Sequence, residues 1–317
     1  MTARTVTPAG PALVLAAAGR IAGRVHRTPL LTLNALPGVL LKAEHLQRGG
    51  SFKARGATNA MLTRAARRVV TGSSGNHGLA VATLGAALGT HVTIVMAQGA
   101  SPAKAAAIRG LGAVVVTVAG GNADRDRCAR DLARDTGAAF VPSADDDLVI
   151  AGQGTVALEV FTDAPDLDAI YVPTGGGGLL AGTCLAATGS HRRVRVIGVE
   201  PATARRYAAS LAAGHPVELA PSATIADGLR AQRPGELTYP IVRDRVDDLV
   251  GVTDDAIGDA LRLLHAHGVP AEPSGCVALA GALLFPSAGR VAVVVSGGNI
   301  PAALARPPAS VPSTPEG

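Results

Sequence analysis

Lysine is scarce in this chain. Of its 29 basic residues only Lys42, Lys53 and Lys104 are lysines, and Lys53 follows a Gly-Gly-Ser turn and Phe52 in "GGSFKARGATN", residues 49–59. Arginine stays charged, whereas a lysine in an apolar, partly buried place can lose its proton and attack a carbonyl as a neutral amine. Lys104, after Pro102 in "SPAKAAAIRG", reads as the solvated face of a helix start, and Lys42 in "VLLKAEHL" as a strand residue with an exposed tip. Lys53 is the candidate nucleophile.

Three turns could serve it. "VVTGSSGNHGLAVA" runs from strand through loop to helix, with Gly72, Gly75 and Gly78 freeing the backbone to turn its amides toward an anion. "IYVPTGGGGLLAGTCLAA" opens Gly175–Gly178 onto a helix N-terminus, where unpaired N–H groups favour a phosphate. "VAVVVSGGN" presents Ser296 and Asn299 at a strand end. Gly176-x-Gly178 with Glu200 further on also imitates a dinucleotide site, but that reading leaves the lysine and the other two turns without a role.

These turns need strands to aim them. Short apolar runs ("VVTG", "HVTIVMA", "AVVVTVA", "AAFVPS", "AIYVPTG", "RVRVIGVE", "RVAVVVSGG") alternate with Ala-rich helical stretches, the signature of βαβ units and parallel sheets. In such sheets ligands collect beyond the carboxyl ends of the strands, where the three turns lie. At 317 residues and 48% hydrophobic content the chain can bury two cores, and with only 2% aromatics those cores must be built from Ala, Val and Leu. The smaller domain is expected over 66–146, inserted in a larger one formed by 1–65 and 147–317.

The +5 charge is carried by arginines mixed with acids, as in "DRDRCARD", without an aromatic platform, so a nucleic-acid partner is not expected. Cys128, Cys184 and Cys276 are too few and too far apart for a disulfide framework or a metal knuckle, which makes the cytoplasm the default. The N-terminal apolar run reads as an amphipathic helix rather than a signal peptide, no run reaches the length of a membrane span, and "RPPASVPSTPEG" reads as a frayed tail.

A lysine for an aldehyde, a phosphate cradle, a ring cover and a partner for a pyridine nitrogen are what pyridoxal 5'-phosphate needs. With "KAEHLQRGGSFKARGATN", "SSGNHG", "VIAGQGTVALEV", "PTGGGGLLAG", "TIADG", "EPSG" and "SGGN", the sequence resembles the fold-type II pyridoxal-phosphate family of threonine/serine dehydratases and serine racemases, from "RTPL" at 27–30 to "SGGN" at 296–299. The resemblance implies an α/β fold of two open twisted parallel-sheet domains, like the tryptophan synthase β-subunit, in a homodimer. It also implies that Lys53 carries the cofactor aldehyde, that Asn76 bonds the ring hydroxyl, and that Gly175, Gly176, Gly177, Gly178 and Leu179 surround the phosphate. Phe52 and Gly228 would cover the ring, Ser296 would face its nitrogen, and Ser73, Ser74, Gly75, Asn76 and His77 would take the substrate carboxylate. Ser74 matches the second-face acid/base of the racemases.

A neutral Ser296 in place of a carboxylate disfavours transamination, so the expected reaction is elimination: a β-hydroxy-α-amino acid such as threonine or serine yields a 2-oxo acid and ammonia. Racemisation and a non-catalytic cofactor-binding relative are the alternatives. Departures also count. Arg206 stands where metal-binding relatives, which also use the positions of Glu200 and the Ala204 carbonyl, have a second acid, so no metal is expected; its charge would instead lie beside Glu200. Pro142 and Ala144 replace larger or polar residues, from which more room beside the substrate β-carbon is expected. No regulatory domain is expected after "SGGN".

Overall fold

The computed structural model describes residues 10–300; the Pro/Ser tail read from the sequence lies outside them. Among the described residues the strands are β1 (Leu30–Thr32), β2 (Val39–Lys42), β3 (Arg68–Gly72), β4 (His91–Ala97), β5 (Val114–Val118), β6 (Ala139–Phe140), β7 (Ala169–Pro173), β8 (Arg195–Pro201), β9 (Asp248–Val252) and β10 (Val291–Val294). The helices are α1 (Pro11–Ile21), α2 (Lys53–Arg64), α3 (Asn76–Leu88), α4 (Pro102–Gly110), α5 (Asn122–Thr136), α6 (Asp147–Asp163), α7 (Gly178–Ala187), α8 (Arg206–Ala213), α9 (Thr238–Arg245), α10 (Asp254–Ala266) and α11 (Pro273–Leu284).

Two sheets result, one ordered β1-β2-β10-β7-β8-β9 and the other β5-β4-β3-β6. Every pairing is parallel except that of β1 with β2 at one edge. The central strands of the larger sheet are buried on both faces, which is why they read as unbroken apolar runs. Ile170 and Val172 point into one core with α6 and α7, and Ala169 and Tyr171 into the other with α10 and α11. Among the described residues no helix is long and apolar enough to cross a membrane.

Small residues let the helices behind the site touch backbone to backbone. A Cβ on Gly152 of α6 would lie 2.6 Å from the Gly56 Cα of α2, and one on Gly154 would lie 2.6 Å from the Gly182 carbonyl oxygen of α7. Since α2 begins at Lys53 and α7 at Gly178, α6 fixes the lysine relative to the glycine loop.

A buried ionic cluster anchors the same end of α2. Arg55 and Glu44 are both fully buried; Arg55 donates from Nε and Nη2 to Glu44 at 2.9 and 2.7 Å and from Nη1 to Glu159 at 2.7 Å. The tip of Lys42 is not exposed as its strand position suggested: it is fully buried, donating to Glu159 at 2.5 Å and to the Thr28 carbonyl at 2.6 Å. Burial opposes charge on Glu44, but the Arg55 guanidinium outweighs it and holds the carboxyl below its ordinary range. Removing one partner of such a buried cluster strands the others' charge. Glu44→Ala is therefore expected to cost about 3–5 kcal/mol in denaturant unfolding, a loss that wild type should approach only as falling pH protonates this carboxyl.

Candidate active site

The carboxyl ends of both sheets open on one cavity of about 440 Å³. Phe52, Lys53, Ser73, Ser74, Gly75, Asn76, His77, Gly175, Gly176, Gly177, Gly178, Leu179, Gly228 and Ser296 all line it, so the residues that the resemblance assigns to cofactor and substrate are brought together; Gly78 and Asn299 of the same turns lie behind them.

Lys53 starts α2, and its amine donates to the Ser143 carbonyl at 2.6 Å and lies 5.1 Å from the centre of the Phe52 ring. Burial alone pushes it down to about 8, the direction expected for an ammonium deprived of water. Lys42 is lowered by burial too, but its ion pair with Glu159 keeps it occupied in the wall. Lys104 is not simply solvated: it pairs with Asp227 at 2.7 Å, linking α4 to the turn that carries Gly228.

The glycine loop is pressed from behind. Gly177 has φ +88°, and a Cβ there would lie 1.8 Å from the Tyr207 hydroxyl, which itself donates to the Gly176 carbonyl at 3.2 Å. Only glycine fits, and the chain then enters α7 with the N–H groups of its first turn unused by the helix. Ala144 abuts this loop: a Cβ on Gly176 would meet its Cβ at 2.9 Å. The expectation that Ala144 leaves room for a larger substrate is thereby weakened, since a bulkier residue here would push on the loop itself.

The serine-rich loop is organised by its own hydroxyls. Ser73 Oγ accepts from the Gly75 and Gly78 N–H groups at 3.2 and 2.9 Å, shaping the start of α3, and Ser74 Oγ accepts from the Ala97 N–H at 3.3 Å. His77 donates from Nε2 to the Val141 carbonyl at 3.0 Å, and burial, reinforced by the Lys53 charge, pushes its imidazole down to about 3. It is a neutral wall residue. Its main-chain N–H at the α3 start, not its ring, is the group that suits a carboxylate.

Glu272 was not singled out from the sequence, although "EPSG" contains it. It is buried beside the cavity, accepts from Asn76 Nδ2, and is pushed up to about 7 chiefly by burial. Asn299 donates to Asn76 Oδ1 at 2.9 Å, so the Asn76 amide is oriented from both sides. Ser296 is buried and donates to the Ser274 carbonyl at 3.3 Å, while Ser274 Oγ accepts from the Gly228 N–H at 3.0 Å.

Arg206 and Glu200 are both fully buried, 3.9 Å apart. Among the described residues no group of three or more His, Cys, Asp or Glu side chains could hold a metal ion. A phosphorylated pyridine aldehyde fits the cavity: an amine with a depressed pKa, a helix start behind a loop that admits no side chain, an aromatic ring and a buried hydroxyl surround one space.

The family described as "Pyridoxal-phosphate dependent enzyme" matches residues 21–297. The chain is 37% identical to a serine racemase of Oryza sativa subsp. indica over 302 residues, 90% of this chain and 89% of the relative. It is 39% identical to an L-threo-3-hydroxyaspartate ammonia-lyase of Saccharomyces cerevisiae over 300 residues, 90% and 92% of the two chains. Among solved structures, a threonine deaminase from T.th. superposes with a TM-score of 0.87 at 41% identity, covering 92% of this chain and 99% of that one.

Proposed function

The chain belongs to the family of pyridoxal-phosphate dependent enzymes, within its ammonia-lyase and racemase group, and on that footing we propose that it eliminates the β-hydroxyl of a hydroxy amino acid to give a 2-oxo acid and ammonia. The observation that carries this reading is Ser296, a buried neutral hydroxyl where a carboxylate would favour transamination.

When bound, the cofactor withdraws electrons from the α-carbon of an attached amino acid. Phe52 and Gly228 would cover its ring, Asn76 would meet its hydroxyl, and Gly175 to Leu179 would hold its phosphate. Lys53 would hold the cofactor aldehyde, and its amine, pushed down to about 8 by burial, is the group placed to take the α-proton of the substrate. The N–H groups of Asn76 and His77, with the turn at Ser73, Ser74 and Gly75, hold the substrate carboxylate and thereby aim the α-hydrogen at Lys53. The β-hydroxyl leaves with that proton as water, and the released unsaturated amino acid takes up one water to give the oxo acid and ammonia.

Racemisation is the second reading, favoured by Ser74. Its oxygen accepts from Ala97, which leaves its own proton for delivery to the opposite face of the α-carbon. Incubation with L-serine, L-threonine and L-threo-3-hydroxyaspartate, measuring oxo acid, ammonia and enantiomer, separates the two. Oxo acid is expected to dominate, and Ser74→Ala to cut enantiomer formation about 100-fold or more while elimination persists. An enantiomer as main product without oxo acid would sink the lyase reading. We also propose a cytoplasmic homodimer, supported by the three free cysteines and by the exposed Leu13 and Leu15 of α1, which a second copy would cover.

A further inference from the structure

Arg206 opens α8 without reaching solvent. Its Nη1 donates to the carbonyls of Thr174 and Gly175, both at 2.8 Å, and its Nη2 to those of Leu229, at 2.8 Å, and Ala204. Thr174 and Gly175 lead from β7 into the glycine loop, and Leu229 follows Gly228 on the facing wall. The two walls nearly touch there, since a Cβ on Gly175 would lie 3.2 Å from the Gly228 carbonyl oxygen.

Four carbonyl oxygens turned toward one buried point repel each other unless a cation lies among them. Glu200 balances the guanidinium from 3.9 Å and is itself held by the N–H groups of Tyr207 and Ala208 at 2.9 and 3.0 Å. Tyr207, the next residue, supports the Gly176 carbonyl, so α8 braces the loop at two successive residues. A planar fork of donors can serve four carbonyls from separate segments, as a lysine ammonium with three donors cannot.

We propose that Arg206 is the positioning residue of the cofactor cavity, a fixed internal cation that sets the spacing between the glycine loop and the Gly228 wall. This rests on the reading of the cavity as the cofactor site. Replacing Arg206 leaves the carbonyls unsatisfied and the walls free to drift, so cofactor affinity falls before any chemistry is affected.

The test is titration of cofactor into stripped protein, followed by visible absorbance, for wild type, Arg206→Met, Arg206→Lys and Tyr171→Phe. The last removes a buried hydroxyl that donates to the Phe285 carbonyl at 2.5 Å, away from the cavity lining, and controls for general destabilisation. Arg206→Met is expected to weaken the cofactor about 10-fold or more, by loss of charge-assisted bonds. Arg206→Lys should fall between it and wild type, and Tyr171→Phe should lower thermal stability with affinity intact. Wild-type affinity in Arg206→Met overturns the proposal; if that variant does not fold, wild-type affinity in Arg206→Lys overturns it. The titration needs no substrate, so failure of the wild type to bind cofactor would strike the cavity reading instead.

Discussion

Lys53→Ala is expected to give a folded protein without the visible absorbance of covalently held cofactor and without measurable turnover. Neither remaining lysine can replace it. Lys42 is buried in an ion pair with Glu159, and Lys104 is paired with Asp227 at the cavity edge. Alanine also removes the one amine, among the described residues, that burial alone has brought down to about 8. The sign of the pH dependence follows, because the neutral amine is the nucleophile. Capture of cofactor by stripped wild type should slow by about tenfold per pH unit below 8 and level off above it, as the neutral fraction does. Covalent absorbance retained by Lys53→Ala would refute the assignment.

Gly177→Ala should be nearly as damaging, by a different route. Its φ of +88° is strained for any side chain, and the added methyl would occupy the Tyr207 hydroxyl. Tyr207 cannot step aside without breaking its bonds to the Gly176 carbonyl and to Thr238, at 3.2 and 2.7 Å. Backbone strain and lost hydrogen bonds together should weaken cofactor binding by about 10- to 100-fold. Gly110→Ala, where the added methyl meets nothing within 4 Å, should bind cofactor as wild type does. Equal affinity in Gly177→Ala would show that the glycine loop is not the phosphate cradle.

How far the sequence was legible depended on the range of the interactions. The strand at His91–Ala97 and the turn–helix steps at Asn76 and Gly178 are encoded within a few residues, by apolar runs and glycine placement, and they appear where expected. The β9 strand at Asp248–Val252 is not evident from the sequence, since its apolar signal is a single short run at a sheet edge. Partners distant in sequence were invisible. Lys42 seemed exposed because Glu159 lies 117 residues away, and Lys104 seemed solvated because Asp227 lies 123 residues away. Glu272 stood in a recognised motif, yet its pKa is raised by burial, and the Asn76 amide that partly offsets this lies 196 residues away. The Arg206 substitution was legible as a charge beside Glu200; its four carbonyl partners were not, because they belong to three separated segments.

Borohydride reduction of the holoenzyme, followed by digestion and peptide mass mapping, tests most directly whether this cavity is the catalytic centre. Reduction makes the link between cofactor and lysine permanent, so the mass increment marks the residue that held it. The expected result is a single modified peptide containing Lys53, with Lys42 and Lys104 unmodified. An increment confined to Lys42 or Lys104, or none in protein that turns over substrate, would contradict it.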